Sequence, residues 1–215
     1  MYIETLSVLI LGHSFVRRLE QFCLRVKNNH NMCFDPDTHL IFYKSRGGST
    51  IDTCINDFKV AGQVDANIVI LDIGTNDLDN PDVDPLDLAS RVVSAAKSLP
   101  ERYPEVQVVV ILECLFRSQI GQVRCRNPNF ATHCYQYNNK VKELVYAESV
   151  RSESKIRFWH HRGMVDKWAT YLSDGVHLNR ARLEKYYTSL RRGILKFSPW
   201  VRERFALYQA KEKKK

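Results

Sequence analysis

Long apolar runs are absent from this sequence of 215 residues. A membrane-spanning helix needs about 20 consecutive apolar residues, whereas the apolar run at residues 6–11 is only long enough for a strand. Residues 1–11 also lack the basic start and the small-residue cleavage site of a signal peptide. We therefore expect a protein without a transmembrane segment that resides inside the cell, in the cytoplasm or the nucleus.

Cysteine pairs of the C-x-x-C type are also missing among the six cysteines, which argues against a zinc finger or a thioredoxin-like redox site. Several of the cysteines occupy apolar positions of predicted elements, as expected of reduced thiols in an intracellular protein. Cys114, Cys125, His133 and Cys134 are candidate zinc ligands, but their spacing matches no finger pattern. We expect the protein to use no metal and no cofactor.

Linkers rich in glycine, serine or proline are absent as well, and 44% of the residues are hydrophobic. This combination predicts one sizeable domain over residues 1–197, followed by a basic tail at 198–215. Acidic residues are outnumbered by basic ones, 24 against 32, and the basic residues dominate from residue 180 onward. Such a charge favours weak contact with nucleic acid or an anionic membrane, although no aromatic and basic RNA-binding signature is present. The oligomeric state is left open by the sequence.

Five short apolar stretches alternate with amphipathic helical stretches. The predicted strands cover residues 5–11, 40–43, 67–73, 106–112 and 156–159, and the longest helical patterns cover 86–103, 130–149 and 183–197. Near-continuous apolar strands separated by helices are typical of a parallel sheet that is buried on both faces. The sequence therefore predicts an α/β protein, a three-layer α/β/α sandwich around a five-stranded parallel sheet.

The turns after the first three strands carry small or polar residues. Ser14 follows the first strand at the start of a helix, where backbone N–H groups favour negative charge, so it is either a nucleophile or the helix N-cap. Gly48, in a Gly-Gly pair after the second strand, either turns its N–H toward a substrate oxygen or simply allows a flexible turn. Asn76, after the third strand, either aims its amide at an oxyanion or forms an Asx-turn. All three turns fall at the carboxyl edge of the predicted sheet.

An acid and a histidine three residues apart lie shortly before the last predicted helix. Asp174 and His177 fall on one side of a single turn, where the carboxylate can hold the imidazole in one tautomer and support its charge. Such a pair is a general base that needs a nucleophile. The alternative is an ordinary helix-entry cap, since aspartate and asparagine are common there. In a sandwich of this kind, this loop can reach the same sheet edge as Ser14.

Four short stretches, taken in order over residues 9–179, resemble the four blocks of the SGNH (GDSL) hydrolase superfamily. They are Gly12-His13-Ser14, Gly47-Gly48-Ser49, Gly74-Thr75-Asn76-Asp77 and Asp174-Gly175-Val176-His177. The resemblance implies a flavodoxin-like SGNH hydrolase fold and metal-free hydrolysis of esters, the chemistry of esterases, lipases and thioesterases. It implies Ser14 as the nucleophile, His177 as the base and Asp174 as the residue that orients the base. The oxyanion hole would consist of the backbone N–H groups of Ser14 and Gly48 and the side chain of Asn76.

A narrower resemblance joins the chain to the SGNH-like domains carried by animal retroelements. It rests on residues 10–18, 158–163 and 174–179. In those elements the domain accompanies reverse-transcriptase or recombinase machinery. One position departs from the wider family, which usually has aspartate where this chain has His13. The histidine is either a harmless substitute, which we expect, or a change that perturbs the contact between Ser14 and His177.

The sequence thus predicts a serine esterase that forms an acyl-enzyme and accepts esters of short acyl groups, acetate among them, because no long apolar lid is evident. The competing interpretation is a catalytically weak or inactive module that binds nucleic acid, a lipid surface or a protein partner through its basic C-terminal region. Dependence of ester turnover on Ser14 separates the two.

Overall fold

The structure is a computed structural model that describes residues 5–117, 125–150, 154–164 and 175–212, with the backbone alone from residue 205 onward. Its elements alternate between strands and helices along the chain. In order they are β1 (Leu6–Gly12), α1 (Ser14–Arg25), β2 (His39–Ser45), α2 (Ile51–Ile55), α3 (Lys59–Gln63), β3 (Ile68–Asp72), α4 (Pro85–Arg102), β4 (Val108–Leu112), α5 (Phe130–Ser149), β5 (Ile156–Trp159) and α6 (Arg180–Glu212).

All five strands form one parallel sheet in the order β2-β1-β3-β4-β5. β1 pairs with β2 on one side and with β3 on the other. Gly12, at the end of β1, lies opposite Ser45 of β2 and Asp72 of β3. The predicted α/β architecture with a five-stranded parallel sheet is confirmed. The carboxyl ends of β1, β2 and β3 therefore lie side by side at one edge.

The two faces of the sheet carry separate apolar clusters, as period-two alternation along a strand requires. In β1, Leu9 and Leu11 pack with residues of α4 and α5, whereas Val8 and Ile10 pack with residues of α1 and α6. These four side chains are fully buried. Each such burial stabilises the fold by about 1.5–3 kcal/mol, so a shift of β1 by one residue would be strongly unfavourable.

Most element bounds agree with the periodicity of the sequence to within two residues, and the differences have local causes. The segment after β2 forms two short helices, α2 and α3, separated by a turn. The last helix does not stop near Phe197 but continues through Pro199 to Glu212. Val201 is fully buried against the cluster that includes α1, and this packing offsets the backbone hydrogen bond that a proline inside a helix removes. Within the described residues, no helix is long and apolar enough to cross a membrane.

Candidate active site

The turn after β1 places Ser14 at the first position of α1. Gly12 approaches β3 so closely that a Cβ atom there would lie 2.5 Å from the carbonyl oxygen of Asp72. His13 has an extended backbone and its Nδ1 accepts a hydrogen bond from the N–H of Phe15 at 3.4 Å, which makes His13 the N-cap. The alternative that Ser14 caps the helix is therefore wrong.

Ser14 contacts His177, which lies 163 positions later in the sequence. The Nε2 atom of His177 lies 3.1 Å from the Oγ atom of Ser14, and both side chains are partly buried. His177 is held by its neighbours on the approach to α6. Leu178 is buried in the core, and the side chain of Asn179 accepts a hydrogen bond from the N–H of Arg182, which caps α6. The distance allows a proton to pass from the serine hydroxyl to the imidazole.

Asp174, the predicted partner of the histidine, lies outside the described residues. The following residue, Gly175, is buried and has a φ of 66°, a left-handed conformation that glycine adopts without strain. This turn brings the chain into the segment that carries His177.

The loops after β2 and β3 are tied to the end of β1 by hydrogen bonds. The N–H of Arg46 donates to the carbonyl of Gly12 at 3.1 Å, and the N–H of Ser49 donates to the carbonyl of Arg46 at 3.2 Å. Gly48, inside this turn, has a φ of 73°, which explains the choice of glycine. The Asn76 amide then donates to the carbonyl of Ser49 at 2.9 Å. The three turns predicted from the sequence thus form one connected edge.

Arg117 fixes the orientation of the Asn76 amide from the other side. One guanidinium N–H₂ group of Arg117 donates to Oδ1 of Asn76 at 2.9 Å, and the other lies 2.7 Å from a carboxylate oxygen of Asp79. Arg117 is buried and stacks 5.1 Å from the ring of Phe130. An asparagine amide has two N–H donors. One is used by Ser49, and within the described residues the other makes no hydrogen bond, so it can serve an anionic oxygen.

The carboxylate that supports Arg117 is held in its charged form. Burial acts to raise the pKa of Asp79, but the N–H of Arg126 and the charge of Arg117 lower it by more, so its pKa is below the ordinary value. Sequence analysis missed Arg117 and Asp79. The stretch from the end of β3 into the first turn of α4 contains five aspartates between residues 77 and 87, and nothing in their spacing singles out the one that a distant arginine contacts.

A buried polar group lies behind Ser14. Nε2 of His13 is 3.3 Å from Oδ1 of Asp72, although it lacks the alignment of a hydrogen bond, and the hydroxyl of Tyr186 donates to Oδ2 of the same carboxylate at 2.6 Å. All three side chains are almost completely buried. Burial acts to raise the pKa of Asp72, but His13 and the Tyr186 hydroxyl lower it by more. The histidine at the unusual position therefore faces a carboxylate supplied by β3. The sequence contains one indication of this carboxylate, because Asp72 is a single acidic residue that directly follows the apolar run at residues 68–71.

The two adjacent histidines after β5 and the candidate zinc ligands Cys114 and Cys134 each contact other groups. His160 pairs with Glu113 at 2.8 Å, while His161 is fully buried with its Nδ1 atom 2.8 Å from the hydroxyl of Ser189. Burial lowers the pKa of His161 to about 4. The thiols of Cys114 and Cys134 are free and donate to backbone carbonyls. In the described part of the chain, no three histidines, cysteines or carboxylates are arranged to hold a metal ion.

The family follows from comparison with known proteins. Residues 17–185 match the GDSL-like Lipase/Acylhydrolase family, a stretch that begins just after Ser14 and includes the loops carrying Gly48, Asn76 and His177. The chain belongs to this family. It is therefore a member of a hydrolase family of lipases and acylhydrolases. A comparison with curated protein sequences found no match.

Solved structures of esterases share the fold of this GDSL-family chain. A GDSL-like lipase from Bacteroides thetaiotaomicron superposes with a TM-score of 0.68 at 14% identity, covering 88% of both chains. A carbohydrate esterase of family 3 from Talaromyces cellulolyticus has a TM-score of 0.65 at 13% identity and covers 91% of this chain and 99% of its own. The psychrotrophic esterase EstA from Pseudoalteromonas has a TM-score of 0.59 at 12% identity, with coverage of 89% and 97%. At these identities the likeness concerns the fold alone.

Proposed function

We propose that this GDSL-family protein is a serine esterase that hydrolyses carboxylic esters of short acyl groups through an acyl-enzyme. The observation that carries the proposal is the 3.1 Å separation between Oγ of Ser14 and Nε2 of His177. A serine hydroxyl is a weak nucleophile on its own, and an imidazole within hydrogen-bonding distance is the usual means of activating it. The position of Ser14 at the start of α1 adds the favourable end of the helix dipole.

In the acylation step, Oγ of Ser14 attacks the ester carbonyl carbon while its proton passes to Nε2 of His177. The carbonyl oxygen becomes an oxyanion, which accepts hydrogen bonds from the backbone N–H groups of Ser14 and Gly48 and from the second N–H of the Asn76 amide. When the tetrahedral intermediate collapses, the bond to the leaving oxygen breaks and His177 returns the proton to it. The products of this step are an alcohol and the acyl-serine.

In the deacylation step, His177 takes a proton from a water molecule, whose oxygen attacks the acyl-serine carbonyl. The second tetrahedral intermediate forms in the same oxyanion hole and collapses with cleavage of the bond to Oγ of Ser14. His177 then reprotonates the serine oxygen, and a carboxylic acid leaves. Asp174 is assigned the role of holding the imidazole with Nε2 toward the serine. No metal or cofactor takes part in these steps.

Two further parts of the proposal rest on the sequence: the similarity to domains of animal retroelements and the location inside the cell. Residues 10–18, 158–163 and 174–179 support a place among SGNH-like domains of animal retroelements. Six free cysteines support a reducing, intracellular location. Fractionation of cells that express the tagged protein tests the location, and recovery of the protein in the secreted fraction would contradict it.

The first experiment measures hydrolysis of p-nitrophenyl acetate, butyrate and decanoate by the wild type, Ser14→Ala, His177→Gln and the control Ser90→Ala. Ser90 lies exposed on α4 and its loss should leave turnover unchanged. We expect both site variants to lose at least 10³-fold in kcat, and turnover to decline from acetate to decanoate.

A second readout labels the nucleophile directly. A phosphonate ester should add its mass to Ser14 in the wild type and not to the Ser14→Ala protein. Turnover that persists in Ser14→Ala, with the fold intact by circular dichroism, would contradict the assignment. Absence of turnover in every protein would favour the binding module instead.

A further inference from the structure

A groove of about 680 Å³ lies between the end of β5 and the exposed side of α6. Four cationic side chains line it: Arg162 from the turn after β5, and Lys185, Arg192 and Lys196 from α6. All four residues are exposed. The volume is within the range of ligand-binding clefts.

The part of the chain that the structure describes does not neutralise the positive charge of the groove. Among the described residues, no carboxylate lies within ion-pair distance of these four cations; Lys196 contacts only the rings of Trp159 and Phe197. The one acid in the lining, Glu184, is paired with Lys27 at 2.7 Å. Elsewhere on the surface, cations such as Arg91 and Lys140 do have acidic partners. Like charges held together in this way repel one another, and an anionic ligand would relieve the repulsion.

The spacing of the cations suits an extended anion. Lys185, Arg192 and Lys196 are separated by seven and four residues, which puts them on one face of the helix. From the first to the last, the helix rises about 16 Å, a length over which one strand in a stacked, B-form geometry carries about five phosphates. A single phosphate group would contact only one or two of these side chains.

The floor of the groove is apolar and rigid. The ring of Trp159, on the face of β5 that packs against α6, is partly exposed there. The indole N–H of Trp159 donates to the hydroxyl of Ser189 at 3.0 Å, and Gly193 backs the ring so closely that a Cβ atom would lie 3.3 Å from it. Fixed aromatic surface beside cations is a feature of sites for unpaired bases.

The groove is separate from the ester site. β5 lies three strand spacings from β1 in the sheet, about 14 Å, and neither Ser14 nor His177 lines the groove. A ligand bound there need not be the ester substrate. None of the large apolar side chains that the described residues expose lines it, whereas an amphipathic membrane-binding helix places such side chains next to its cations.

From this geometry we infer that the groove between β5 and α6 binds single-stranded nucleic acid through its phosphates. The binding is independent of base sequence and weakens with salt. If Arg162, Lys185, Arg192 and Lys196 each neutralise one phosphate, the slope of log K against log salt is about −3. Raising salt from 50 to 200 mM then weakens binding about 50-fold.

The test is fluorescence anisotropy with labelled 15-nucleotide oligo-U and oligo-dT. The groove variant carries Lys185→Gln, Arg192→Gln and Lys196→Gln. We expect it to bind at least tenfold more weakly than the wild type in 50 mM salt, with a slope reduced by about 2.

The control variant carries Arg25→Gln, Arg102→Gln and Lys142→Gln, which remove the same charge from exposed positions outside the groove. It should bind within about twofold of the wild type. Ser14→Ala should bind like the wild type, so the result is independent of the esterase proposal. Circular dichroism verifies that each variant is folded.

Several results would overturn the inference. Equal losses in the groove and control variants would mean that binding follows net charge. Tighter binding to a duplex of the same length would exclude a single-strand site. Binding to vesicles containing phosphatidylserine but not to either oligonucleotide would identify a membrane surface, and no binding to any of these probes would remove the site.

Discussion

Replacement of Arg117 by methionine should reduce catalysis through Asn76. The guanidinium donates to Oδ1 of Asn76 at 2.9 Å, while the amide N–H of Asn76 donates to Ser49 at 2.9 Å. With methionine, Oδ1 has no donor and the amide is held from one side only. Loss of a whole oxyanion-hole donor costs about 10²- to 10³-fold in kcat. Since one of the two restraints remains, we expect Arg117→Met to lower kcat by about 10- to 100-fold, with KM nearly unchanged.

The structure provides a matched control for this variant. Arg126 also contacts Asp79, at 3.1 Å, but its side chain is 77% exposed and does not touch Asn76. Arg126→Met should therefore retain almost full turnover. In Arg117→Met, Asp79 keeps its contacts with Arg126, so the carboxylate is not left without a partner and the fold should survive.

A double-mutant cycle distinguishes positioning from a general loss of stability. Steady-state kinetics on p-nitrophenyl acetate are measured for Arg117→Met, Asn76→Ala and the double variant. If Arg117 acts through Asn76, it has little to add once Asn76 is gone, and the double variant should be within about threefold of Asn76→Ala. The reasoning would be refuted if the double variant lost the product of the two single losses in kcat. A change confined to KM in Arg117→Met, or an equal loss of kcat in Arg126→Met, would also refute it.

Three further predictions concern stability, measured by urea denaturation. Gly12→Ala should lower the free energy of unfolding by about 2 kcal/mol or more, because its Cβ would lie 2.5 Å from the Asp72 carbonyl. The control is Gly47→Ala, whose Cβ would meet only a guanidinium at 3.7 Å and which should change that free energy by no more than about 0.5 kcal/mol. Similar losses in the two variants would contradict the packing argument. Tyr186→Phe should cost about 1.5–3 kcal/mol, because it removes a 2.6 Å hydrogen bond to the buried Asp72 carboxylate; an unchanged midpoint would contradict this. Burial lowers the pKa of His161 to about 4, so the unfolded chain takes up a proton near pH 6.5 and the folded chain does not. Stability present above pH 6.5 is then lost toward pH 4, by up to about 3 kcal/mol, and His161→Phe should remove that part of the pH dependence; parallel curves would count against it.

The strands, helices and turns were largely predictable because their determinants are local. Apolar runs at residues 68–71 and 108–112 identify buried parallel strands, and α5 and β5 have the predicted bounds. The positions of Ser14, Gly48 and Asn76 at the ends of successive parallel strands implied that they share one edge. The sequence offered Ser14 as a candidate N-cap of α1, whereas the N-cap is His13. The geometry that makes His13 the cap depends on how Gly12 packs against β3.

The buried groups around the site were not predictable from the sequence. Arg117 is 41 positions from Asn76, and Tyr186 is 114 positions from Asp72. Arg117 meets Asn76 because their loops follow the neighbouring strands β4 and β3, and Tyr186 meets Asp72 because α6 packs against one face of the sheet. A single sequence carries no signal for which distant polar side chains will be enclosed together, although burial without a partner would cost each of them several kcal/mol.

The sequence by itself determined the sheet, the order of its loops and the residue types at their ends, because periodicity and turn chemistry act over a few neighbouring residues. Only the tertiary structure decided which nitrogen of His177 faces Ser14, which way the Asn76 amide points and which cations share a groove with Arg162. Those outcomes depend on distances of a few ångströms between elements far apart in the chain. Such distances are set by the packing of the layers as a whole.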